Sequence, residues 1–155
     1  MARLFITDKE RNLFNSLAKE LIQKVVQQKI IYYAISAEHT NSHDVYNESI
    51  KKVSYRPVEV NARVLFKEPQ QTTTQFSLDT QYSIEVYFHM HELQERNILP
   101  KEGDFLKFGK VVYEINKLTR PQIVYGQIEQ EVMIKCECIV SRESNLKILD
   151  DISSI

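Results

Sequence analysis

The residues best suited to chemistry lie in the run HMHELQE, where His89 and His91 precede Glu95. Two imidazoles and a carboxylate form a ligand set that a divalent transition metal accepts. If a strand runs through residues 89–91, His89 and His91 stand at i and i+2 and face one side of it. Glu95 then follows in a stretch that reads as a short helix ended by Pro100. The competing assignment is plainer, and it is favoured: His89 and His91 occupy a polar strand face opposite Phe88 and Met90, with no metal bound.

Other candidates are thinner. Cys136 and Cys138 are the only cysteines. They supply half of a zinc site, but tetrahedral zinc needs four ligands. At i and i+2 on a strand they share one face and pack as small apolar groups. His39 and His43 fall in a stretch without periodicity. Glycine occurs only at positions 103, 109 and 126, so no phosphate-cradling glycine loop can be built. No serine has a nucleophile-elbow context. The HMHELQE spacing itself resembles half of the cupin metal motif, although Ser83 stands where the leading glycine belongs and no histidine follows His91. That resemblance implies an alternative function: a metal-dependent small-molecule enzyme using His89, His91 and Glu95.

The elements that position these residues follow from pattern. Thr7 and Glu10 have capping-box spacing, and Leu13, Leu17, Leu21 and Val25 recur every four residues beside Phe14, Ala18 and Ile22. The spacing predicts one long helix over 7–29, docked by this stripe on its own domain or, second, against a neighbouring copy. KIIYYAIS suits a strand. Residues 36–57 lose periodicity. Val58, Val60, Ala62, Val64 and Phe66 then alternate with Glu59, Asn61, Arg63 and Leu65, and period two returns at Ile84, Val86 and Phe88 and later at Ile134, Cys136 and Cys138. Lys67–Gln81 interrupts this pattern as a polar hairpin or loop. Gly109-Lys110 is a two-residue hairpin turn, with Phe105, Val111 and Tyr113 expected to face the core. The fold class is mainly β with an N-terminal helix: a small antiparallel barrel or sandwich with long irregular loops. One domain spans 1–142, with its β-rich core at 58–142, and an extended tail covers 143–155.

The totals narrow the function. Twenty basic against twenty-one acidic side chains in 155 residues give a formal charge of −1. Wrapping nucleic acid by neutralising phosphates calls for a marked basic excess, and none exists. No apolar run approaches the ~20 residues of a membrane-spanning helix, and charges interrupt the N-terminus before any secretory core. The expected place of synthesis is the reducing cytoplasm.

Read in order, VEVNARVLF, SIEVYFHMHELQERNILPKEGDFLKFGKVVYEI and PQIVYGQIEQEVMIKCECIVSRE resemble the neck, or head-closure, proteins of tailed bacteriophages of the contractile-tailed, T4-like type. The most specific piece is PKEGDFLKFGKVVYEI with the Pro-Gln and Tyr-Gly-Gln that follow it. Residues 57–142 carry the likeness. It implies a non-enzymatic structural protein of the virion, made in the bacterial host cytoplasm. Such a protein forms a six- or twelve-fold homo-oligomeric ring. The portal or adaptor lies above it and the tail terminator or tail tube below, while DNA passes through without sequence-specific binding. No cofactor, catalytic residue, metal or membrane is implied. The expected ring or channel contact is Gln70, Gln71, Thr72, Thr73, Thr74 and Gln75. The expected inter-subunit contact is the tail residues Leu146, Ile148, Leu149 and Ile152.

Overall fold

The period-two runs become the staves of a closed barrel. The computed structural model describes residues 7–36, 52–73, 78–120, 132–141 and 146–148. In chain order these form helix α1 (Asp8–Glu20), continued by a π-helical turn over Leu21–Val26, then β1 (Lys29–Tyr33), β2 (Lys52–Ser54), β3 (Val58–Phe66), β4 (Gln70–Thr73) and β5 (Leu78–Gln81). They continue with β6 (Ser83–His89), α2 (Met90–Glu95), β7 (Phe105–Phe108), β8 (Val111–Thr119), β9 (Met133–Ser141) and β10 (Leu146–Ile148). The barrel order is β1-β3-β6-β9-β8-β7, antiparallel throughout, and it closes where Ile31 of β1 pairs with Lys107 of β7. Closure leaves those six strands without an unpaired edge.

Alternation fills the interior. Val60, Ala62 and Val64 of β3, Ile84, Val86 and Phe88 of β6, and Ile134, Cys136 and Cys138 of β9 are all buried in one cluster with Ile30, Tyr32 and Leu106. Each such aliphatic side chain contributes roughly 1.5–3 kcal/mol when taken fully from water. The two thiols share the inward face as expected, and burial pushes Cys136 up to about 12. A thiol that protonated is a poor nucleophile. A smaller cluster of Tyr33, Phe105 and Val112 lies apart from this core, with Ile35 packed against it. The Lys52 ammonium stands 5.3 Å from the Phe105 ring centroid and pairs with Glu114 at 2.6 Å.

Turns follow their residues. Gly109 takes φ 62° between the paired Phe108 and Val111, so the two-residue hairpin forms where glycine permits it. Ahead of β7, buried Asp104 accepts from the Tyr32 hydroxyl, from the Ile35 amide at 3.0 Å and from the Lys101 amide at 3.0 Å. Those three donors offset the burial of the carboxylate.

Three boundaries differ from expectation. The helix read over 7–29 stops at Val26, because Gln27 turns left-handed at φ 49°. Gln28 has already joined the sheet, its carbonyl accepting from the Ala62 amide at 3.0 Å and its side chain from the Val64 amide at 2.7 Å. Within 36–57, β2 forms and its residue Ser54 bridges Ile35, while residues 37–51 lie outside the described part. Val111, expected inside, is 39 % exposed. It keeps the inward parity of Tyr113 and Ile115, but it sits at the very end of the barrel.

Candidate interaction surface

The capping box at the start of α1 forms as the Thr7/Glu10 spacing dictates. The apolar stripe behind it does not dock on the barrel. Leu13, Leu17, Leu21 and Val25 are 56 %, 52 %, 54 % and 71 % exposed, and Phe14 is exposed beside them. The helix does lie on its own domain, but by the opposite face. That face carries Arg11, Asn15, Lys19 and Gln23, also four residues apart and all half-buried, with buried Ile22.

The cause lies in α2, whose Glu92 and Glu95 face the helix. Lys19 Nζ pairs with Glu95 at 2.5 Å, and Gln23 donates to Glu92 at 2.6 Å. Glu92 is only 2 % exposed, and it also accepts from Asn61 at 3.3 Å and from Arg96 at 3.1 Å. Burial alone would raise its pKa. The hydrogen bonds from Gln23, Arg96 and Asn61 outweigh that and hold it below the usual carboxylate value. A buried charge without those donors would be costly, so the polar row is drawn inward and the apolar row is left in water.

The segment expected to line a channel is in part an arm. β4 and β5 pair from Gln70↔Gln81 to Thr73↔Leu78, as a two-stranded hairpin set between β3 and β6. Gln70, Gln71 and Thr73 are exposed, Thr72 lies on the same strand, and Thr74 and Gln75 fall outside the described residues. At the arm's base Lys67 and Lys135 both reach Glu85, at 2.9 and 2.8 Å. Hydrogen bonds from Lys135 and then Lys67 hold Glu85 down to about 2.

In the tail, Leu146 and Ile148 belong to β10, whose backbone pairs in parallel with this chain's own β2, Leu146 opposite Lys52 and Ile148 opposite Ser54. Leu149 and Ile152 lie outside the described residues.

The histidines do not share a strand face, which corrects the placement that both assignments assumed. β6 ends at His89, and His91 falls in the first turn of α2. His89 is 2 % exposed and caps that helix, its Nδ1 accepting the His91 amide at 3.3 Å. Its Nε2 has no hydrogen-bond partner among the described residues. Burial lowers its pKa, and the charges of His91 and Lys19 lower it further. His91 is exposed and approaches Glu95 at 3.5 Å. Among the described residues no three His, Cys, Asp or Glu side chains gather to hold a metal, and no helix is long and apolar enough to cross a membrane.

Sequence reasoning found the apolar row but assigned it inward. The missed signal was the second four-residue row, Arg11, Asn15, Lys19 and Gln23, together with an acidic helix able to receive it. Comparison with protein families and with curated proteins finds nothing that matches this chain.

Proposed function

We propose that this chain is a non-enzymatic building block of a tailed bacteriophage neck. It forms a homo-oligomeric ring between the portal or adaptor and the tail terminator or tail tube, and DNA passes through its centre. The ordered resemblance across residues 57–142 supports the class of protein. The observation that carries the structural role is the apolar row of α1, held outward by a buried polar anchorage. A helix that spends its polar face on its own domain leaves its apolar face for another protein. Near-neutral charge fits a passage through which DNA slides without adhering.

The test is genetic and microscopic. Removing the gene from the phage that carries it should yield filled heads and free tails that fail to join, with complementation restoring them. Mass spectrometry of purified particles should find the chain in stoichiometric, ring-like copy number. Normal joined particles without the gene product would refute the proposal.

A further inference from the structure

The two ends of the barrel differ among the described residues. At the α2 end, Leu93 is 1 % exposed and belongs to the main core, with Met90 and Ile98 packed against it. At the opposite end the inward rows of the strands run on into water. Phe66 continues Val60, Ala62 and Val64, and Tyr82 precedes Ile84 in the same parity. Phe108 follows Leu106, Val111 precedes Tyr113, and Val140 follows Cys138. Pairing brings them to one rim: Phe108 opposes Val111, Val140 donates its amide to the Tyr82 carbonyl at 3.1 Å, and the Phe66 and Phe108 rings lie 6.0 Å apart. Phe66, Tyr82 and Val140 are 69 %, 58 % and 41 % exposed. The result is an apolar collar at this rim, from which the chain runs on into the β4–β5 pair.

Among the described residues two apolar rows thus stand in water, the collar and the Leu13–Leu17–Leu21–Val25 row of α1, each made of a few large side chains. Each leaves a few large side chains' worth of surface in water, on the order of 300 Å² of apolar area. With just over half of an interface apolar, pairing the two gives a contact of about 1,000 Å² in total, the size of a specific but reversible association. A chain cannot satisfy itself this way, because Lys19 and Gln23 tie α1 to Glu95 and Glu92 of α2, at the other end of the barrel.

We infer that the α1 row of one copy seats on the apolar collar of the next. The two faces differ, so the contact is heterologous, and each copy offers one of each. Repetition then closes into a ring or runs on as a filament. This deepens the ring reading above by naming its contact, and it rests on that reading for closure alone.

Leu17→Cys and Phe66→Cys variants, mixed and mildly oxidised, test the pairing, because Cys136 and Cys138 are buried and do not compete. The expected product is the mixed disulfide between the two variants, in excess over either self-pair. Sedimentation velocity should show the wild type associating at concentrations approaching roughly millimolar, with Leu17→Glu and Phe66→Glu each weakened at least about tenfold. Mixing those two charge variants should restore dimers and nothing larger, since one intact junction remains. Circular dichroism confirms that the variants fold, as both positions are exposed.

Dominant Leu17–Leu17 cross-links would show that the helix pairs with its own counterpart, and would overturn the inference. A wild type that stays monomeric, or a Phe66→Glu variant that associates normally, would do the same. Cross-linked filaments from a protein absent from virions would refute the neck assignment and leave the pairing of faces standing.

Discussion

Replacing Glu92 with alanine tests whether polar anchorage sets the orientation of α1. The carboxylate is buried and accepts from Gln23, Asn61 and Arg96. Hydrogen bonds to a charged group are worth about 1.5–3 kcal/mol each. The Arg96 side chain is 39 % exposed, and Gln23 and Asn61 are half-buried, so all three donors recover water once the acceptor is gone. The net cost is therefore well below the sum, at about 2–3 kcal/mol. For a chain of this size that corresponds to a fall in Tm of roughly 5–10 °C.

The sign of the pH effect follows from the lowered pKa. The contribution is complete above the ordinary value of 4.5 and is lost as pH falls through the lower folded value. The gap between wild type and Glu92→Ala should therefore be widest near neutrality and should close in acid. Glu85 is held low by Lys135 and Lys67 and not by Glu92, so it cancels in the difference, whereas Glu95, paired with Lys19 and perturbed by Glu92, adds to the same acid-side closing of the gap. Thermal unfolding across pH, with a Gln23→Ala arm to complete a double-mutant cycle, supplies the assay. A Glu92→Ala protein that melts within about 2 °C of wild type at neutral pH would refute the anchorage argument.

Two further perturbations probe the frame. His89 is buried with its pKa below 6.5, so charging it opposes folding. Stability should be unaffected above that value and decline below it, by up to ~1.4 kcal/mol per pH unit. His89→Asn keeps a helix-capping acceptor and should flatten that part of the decline in chemical denaturation between neutral and mildly acidic pH; equal slopes would contradict it. Gly109→Ala places its Cβ in open space, so only the φ of 62° is at issue. The expected loss is about 1 kcal/mol, smaller for Gly109→Asn, and an unchanged Tm for the alanine protein would mean the turn is not held left-handed.

Much of the frame was legible because local chemistry and tertiary need agree there. Val58–Phe66 alternates with period two, and one of its faces is core. Thr7 and Glu10 satisfy each other within four residues. What escaped the sequence was decided at long range. Amphipathicity locates the stripe of α1 but not the side on which water lies, and that choice is made by Glu92 and Glu95, some seventy residues away in sequence. The HMHELQE run misled because strand gives way to helix at His89, and at that switch the side-chain period changes from 2 to 3.6. The end of α1 escaped because no glycine or proline marks it, and Gln27 is not a residue that advertises a left-handed turn. Val111 had the right parity, but parity does not tell where a barrel stops.

The order of the staves has a consequence for biosynthesis. β9, the last stave to be translated, is inserted between β6 and β8, both of which precede it. Until Ser141 has left the ribosome, the nascent polypeptide holds two bare seams that no earlier segment can zip shut. Helix α1 emerges first, and its tethers in α2 are not yet made. A message truncated before Met133 would therefore not encode a smaller version of this protein. It would encode five of the six staves with bare edges on β6 and β8, a species prone to pair with whatever strand it meets.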